Sequence, residues 1–169
     1  MNYFDVFQLP LNFKIDNELL STRFYDLQRK FHPDRYLNFS PQEKLYSLQQ
    51  SSLLNKAWQV LRNPLLRAEY LLTLYGLKIG HCTMKDINFL REQIKLHEEC
   101  EKLEKKLDVK KINEFSVRID ITFKKLHQQM EFAMENQQWQ RAVDIIHQIH
   151  FYNRIRKNIE ELENQELEF

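Results

Sequence analysis

Residues that break helices are distributed unevenly along this chain of 169 residues, and no other feature restricts its fold as much. All four prolines (Pro10, Pro33, Pro41 and Pro64) fall within the first 64 residues, and the only two glycines, Gly76 and Gly80, bracket the segment GLKIG. After Gly80 neither residue type recurs, so nothing in the backbone chemistry interrupts long helices there. The pattern predicts an N-terminal unit over residues 1–75, a linker at 76–83 and a C-terminal helical unit over 84–169.

Within the first unit, YFDVFQLP reads as a short helix or turn ending at Pro10. Asp16 is placed to cap a second helix, in which Leu19, Leu20, Phe24, Leu27 and Phe31 recur at spacings of three and four. Pro33 ends that helix: it lacks an N–H and disfavours the helical conformation of His32 before it. Ser40-Pro41 opens a third helix, a capping serine with proline at the first position. Its expected apolar face is Leu45, Leu48, Leu53 or Leu54, Ala57 and Leu61; Asn63-Pro64 breaks it before a short fourth helix, LLRAEYLLTLY.

The second unit offers three stretches at the helical period. Residues 84–107 carry Phe89, Leu96, Cys100, Leu103 and Leu107; residues 109–134 carry Ile112, Phe115, Ile119, Phe123, Leu126 and Met130; residues 137–165 carry Trp139, Val143, Ile146, Ile149, Tyr152, Ile155 and Ile159. Short connections make them antiparallel neighbours, hence a three-helix bundle. No stretch alternates with period two, so the predicted fold class is all-α.

Composition excludes several functions. Hydrophobic residues make up 43% of the chain, enough for a core, yet no apolar run approaches the length that spans a bilayer. The N-terminus shows neither a secretory signal nor an organelle presequence. A net charge of +1 argues against broad binding to a phosphate backbone. Cys82 and Cys100 fit no metal spacing. A disulfide between them is compatible with the sequence, but free thiols in a reducing cytoplasm are favoured. His81, His97, His127, His147 and His150 are scattered, and no nucleophile or phosphate-binding loop accompanies any of them. The expectation is a protein that is not an enzyme and carries neither metal nor cofactor.

The tripeptide His32-Pro33-Asp34 could be only a helix stop and a polar turn. Its context says more. It follows an amphipathic helix carrying Arg23, Arg29 and Lys30, and it opens onto another amphipathic helix. Short helix, basic helix, HPD and long helix in this order resemble a J-domain, the module by which DnaJ-type co-chaperones activate DnaK-type ATPases. YFDVFQLP, LSTRFYDLQRKFHPDRY, LLNKAWQVLRNPLLRAEYLL and the acidic tail EELENQELEF further resemble the HscB family, the J-type co-chaperones of iron–sulfur cluster biogenesis. RAEYLL after LRNP is the more specific element, and the likeness spans essentially the whole chain. Mitochondrial members carry N-terminal extensions, often with zinc cysteines. This chain has neither, so the resemblance implies a bacterial, cytoplasmic protein.

The resemblance implies that Asp34 engages an arginine of an HscA- or DnaK-type ATPase, that His32 and Pro33 shape the loop, and that Arg29, Lys30 and Arg35 meet an acidic patch. Asp26 departs from the pattern, since DnaJ usually has a basic residue there; the reduced basic face suits a dedicated HscA-like partner. A J-protein with a different client and a plain helical adaptor are the competing readings.

A second apolar stripe stands on the helix at 84–107. At about 100° per residue, Phe89, Leu96, Cys100, Leu103 and Leu107 lie within about 40° of one direction, and Ile87, Leu90 and Ile94 lie roughly 100–160° from it. The stripe either packs on the N-terminal unit or docks a partner. In the HscB family the scaffold protein IscU binds the C-terminal bundle through apolar residues of its first helix, nearby acids and an aromatic on the last helix. The resemblance carries this role to Leu90, Ile94, Glu98 and Phe151. Arg91, Lys95 and Lys102 depart from it, standing where an apolar residue and two acids are expected.

Overall fold

The computed structural model describes residues 1–79 and 86–167, and its chain divides into two compact units, Met1–Leu77 and Lys78–Phe169. Positions 80–83 of the expected linker, with His81 and Cys82, lie outside the described residues, as does the start of the helix expected from 84. The described residues contain seven α-helices and one 3-10 turn and no strand.

The N-terminal unit comprises α1 (Tyr3–Val6), α2 (Asn17–Phe31), a 3-10 turn (Pro33–Tyr36), α3 (Pro41–Arg62) and α4 (Pro64–Leu74). Local chemistry explains each start. Asn2 and Asp5 form a reciprocal capping box on α1, and Ser40 and Glu43 form another on α3. The Asp16 carboxylate accepts from the N–H groups of Glu18 and Leu19, and the Asn63 side chain accepts from those of Leu65 and Leu66. Gly76 ends α4 in the left-handed region at φ 81°, where glycine carries no steric penalty. There the Leu77 N–H reaches the Leu72 carbonyl and the Gly76 N–H reaches that of Thr73, both satisfying helix-end acceptors. Gly76 is therefore a helix cap.

Three helix ends in this unit are finished by arginines. Arg23 donates to the carbonyls of Phe7 and Gln8 behind α1, Arg35 to that of Arg29 near the end of α2, and Arg67 to that of Leu61 near the end of α3. Each places a cation at a negative helix terminus whose carbonyls lack backbone donors.

The core of α3 differs from the expected face. Leu45 and Leu48 are exposed, and the buried seam is Ser47, Leu54, Ala57 and Leu61. These recur at seven, three and four residues, whereas Leu45 points roughly 160° from Ser47. Ser47 takes the core slot because its hydroxyl donates to the Phe31 carbonyl, 2.9 Å away. On α2 the fully buried residues are Leu20 and Phe24, with Leu19 exposed.

The C-terminal unit contains α5 (Ile87–Lys105), α6 (Val109–Glu135) and α7 (Trp139–Leu167). Only three residues join α6 to α7. Gln137 takes the left-handed position at φ 57°, and the Gln138 N–H closes on the Ala133 carbonyl at 2.8 Å. The two long helices consequently pair as an antiparallel hairpin, with α5 packed on α7. Because α7 is covered by both partners, it buries Val143, Ile145, Ile146, Ile149, Phe151, Tyr152, Ile155, Ile159 and Leu162. Leu107 falls beyond the last residue of α5 and is exposed, so Leu103 is that stripe's last buried member. Phe123 is half-buried under the Arg156 guanidinium.

Candidate functional site

Two exposed surfaces, one on each unit, carry the residues singled out in the sequence. The first surrounds the end of α2. His32 has φ −63° and ψ 129°, the extended conformation that a following proline enforces. The chain then continues as a 3-10 turn rather than an open loop, with Pro33 at its first position. The His32 Nδ1 accepts from the Asp34 N–H at 3.3 Å, and the His32 carbonyl accepts from the Arg35 N–H at 3.0 Å. Together these hold the Asp34 carboxylate outward, with 79% of its side chain exposed.

Two further bonds anchor this turn to the unit: the Ser47 hydroxyl on the Phe31 carbonyl, and the Arg35 guanidinium on the Arg29 carbonyl at 3.1 Å. Arg35 therefore has a structural duty besides its charge. Arg29 forms an ion pair with Asp26 one turn back, which moderates the positive field there. Lys30 lies over the Phe31 ring, 5.3 Å from its centroid, and has no carboxylate partner among the described residues. Leu37, Phe39, Leu45, Tyr46 and Leu48 stay exposed in the segment that follows. Helical spacing had assigned Leu45 and Leu48 to the core; only the position of Ser47 reveals that they face solvent.

The second surface lies on α5. Asp86 caps its start, accepting from the Asn88 and Phe89 N–H groups at 2.9 and 3.3 Å. Phe89, Leu96, Cys100 and Leu103 point into the bundle, which leaves Ile87, Leu90 and Ile94 on the open side at 63%, 45% and 59% exposure. Glu98 is exposed one turn below Ile94. Phe151 does not share that surface: it is 2% exposed. Its ring meets Phe89 edge-on at 5.6 Å and His97 at 5.5 Å, so it supports α5 from beneath instead of offering a contact. The Tyr152 hydroxyl beside it donates to Glu92 at 2.6 Å, a second tie between α7 and α5. Burial, together with that bond, pushes the Tyr152 phenol up from its ordinary range.

Cys100 is a free, buried thiol, pushed up to about 11 by burial and by Glu104 and Glu99, which is unsuited to a nucleophile. Among the described residues no three His, Cys, Asp or Glu side chains are grouped to hold a metal ion. No helix there is long and apolar enough to cross a membrane.

Comparison with known proteins gives this geometry its family. Residues 85–160 match the family model described as the HSCB C-terminal oligomerisation domain. The chaperone HscB from Vibrio cholerae is similar at 34% identity and a TM-score of 0.87, over 97% of this chain and 99% of that one. The human co-chaperone HscB is similar at 27% identity and 0.83, over 96% and 82%. The Jac1 co-chaperone from Saccharomyces cerevisiae, at 20% identity and 0.72 over 95% and 92%, shares the fold. The identity to the Vibrio protein holds over nearly the full length of both chains, and on that ground this chain belongs to the HscB family of co-chaperones.

Proposed function

We propose that this chain stimulates the ATPase of an HscA- or DnaK-type chaperone through His32-Pro33-Asp34, and delivers an IscU-type iron–sulfur scaffold held on α5. The cluster is cargo of the scaffold, and the setting is a bacterial cytoplasm. The observation that carries this reading is the Asp34 carboxylate, exposed yet held by a proline-led turn whose base is tied to α2 and α3. A carboxylate fixed in this way meets a cationic partner without first paying to order its loop. Lys30 and Arg35 extend the contact, and exposed Leu45 and Leu48 supply apolar area beside it.

Scaffold binding rests on Leu90 and Ile94, with Glu98 at the rim and Phe151 holding the helix from below. Interface anchors typically cost on the order of 1–2 kcal/mol each when cut to alanine. Leu90→Ala/Ile94→Ala should therefore weaken scaffold binding by roughly tenfold to a thousandfold in calorimetry. Circular dichroism and basal ATPase stimulation should persist, since neither side chain is in the core. Wild-type affinity in that variant would remove the scaffold from this face.

A further inference from the structure

We infer that the partner docking on α5 carries an acidic rim: an apolar spot for Leu90 and Ile94, bordered on one side by carboxylates that meet Arg91, Lys95 and Lys102. This rests on the docking reading above and names the chemistry of its partner. With Leu90 as origin and about 100° per residue, Ile94 and Ile87 stand near 40° and 60°, while Arg91, Lys102 and Lys95 stand near 100°, 120° and 140°. The three cations thus line one edge of the apolar stripe. All are exposed, and none has an ion pair or hydrogen bond among the described residues.

The acids of α5 that could neutralise this edge are engaged elsewhere. Glu92, near 200°, accepts from Tyr152 on α7, and Glu99, near 180°, accepts from Arg118 on α6 at 2.6 Å. Glu98 lies within the face, and Glu101 and Glu104 lie toward its opposite edge, so the positive character is confined to one side. The cation row leads into a cavity of about 470 Å³ between α5 and α6, lined in part by Lys102, Lys106, Lys111 and Glu114. There Lys111 faces Asp108 at 3.9 Å, while Lys102 and Lys106 have no anionic partner. Free cations along an exposed apolar stripe are complementary to a partner with carboxylates flanking its own apolar contact.

The test is calorimetric titration of the full chain with its cognate iron–sulfur scaffold, from about 50 mM to about 500 mM salt. Affinity should fall at least about tenfold across that range. Arg91→Glu/Lys95→Glu/Lys102→Glu should lose about ten- to a hundredfold at low salt, and the corresponding triple glutamine variant less, both with flattened salt dependence and unchanged circular dichroism. Leu90→Ala/Ile94→Ala should lose affinity at every salt concentration while keeping the slope. Salt-independent binding, unaffected by charge reversal but lost in the Leu90/Ile94 variant, overturns the acidic rim and leaves the docking site standing. Unchanged binding in all variants overturns the docking site itself. Sedimentation showing that Leu90→Ala/Ile94→Ala dissolves a self-associated form of the chain alone assigns the face to a second copy, which also overturns the inference.

Discussion

Ser47→Ala removes one oxygen from a fully buried position, and its consequence can be worked out from the bonds around it. The hydroxyl donates to the Phe31 carbonyl at 2.9 Å, at the last residue of α2 and directly before His32. That carbonyl has no intrahelical donor, because α2 stops there. The substitution changes volume little, so a cavity contributes little; what is lost is a net hydrogen bond of about 1 kcal/mol, with the added cost of a buried acceptor left unpaired. The sum is about 1–3 kcal/mol, read as a lower guanidinium midpoint for the N-terminal unit. The turn also loses one of its anchors while Asp34 itself is untouched. Half-maximal ATPase stimulation should consequently need a few-fold more co-chaperone, with the maximum preserved, as expected for a positioning residue. Wild-type stability would show that the bond contributes nothing. Normal stability with a reduced maximum would mean that Ser47 touches the chaperone itself, and the reasoning would fail.

Arg67→Ala should cost about 3–4 kcal/mol, since it removes a charged donor to the Leu61 carbonyl and a cation 4.9 Å above the Phe13 ring. Arg67→Lys should recover only part of that loss in urea titration, because a point charge does not reproduce the planar fork. His127 supplies a pH dependence. Burial, reinforced by Arg156 and opposed by Glu131, holds its imidazole below the ordinary 6.5, and its Nε2 is buried without a partner. A depressed value means that the unfolded chain protonates first, so this stability is present above about 6.5 and is lost as pH falls through the folded value. His127→Phe should flatten that acid limb of the urea midpoint; parallel profiles for variant and wild type would dismiss it.

Helix starts were the most legible feature of the sequence, because their determinants are local. Asp16, Ser40-Pro41 and Asn63-Pro64 each cap a helix where their chemistry requires. Helix ends were harder. Gln8 and Gln137 occupy left-handed positions that announce no glycine, and the arginines finishing α1, α2 and α3 act across six to sixteen residues. Core membership was legible wherever the seam is apolar. It failed on α3, where a serine holds the inward slot and leucines lie outside it, since the worth of that hydroxyl depends on a carbonyl from another helix.

The same distinction applies to the candidate sites. His32-Pro33-Asp34 could be identified from three adjacent residues, and the exposure of Leu90 and Ile94 followed from a stripe with more apolar area than one seam uses. The burial of Phe151 did not, because it arises from α7 being covered by two helices at once. Nor could spacing show that Tyr152 and Arg118 draw Glu92 and Glu99 away from the cation row.

The central claim is that Asp34, presented by this turn, activates a chaperone ATPase on behalf of a bound scaffold. Steady-state phosphate release by the purified HscA- or DnaK-type partner tests it most directly, with wild-type or Asp34→Asn chain, each with and without the scaffold. The account predicts stimulation by the wild type and a further, more than additive rise when the scaffold is present. It predicts a return to the basal rate with Asp34→Asn, which should still bind the scaffold. Undiminished stimulation by Asp34→Asn, or no stimulation by the wild type, would contradict it.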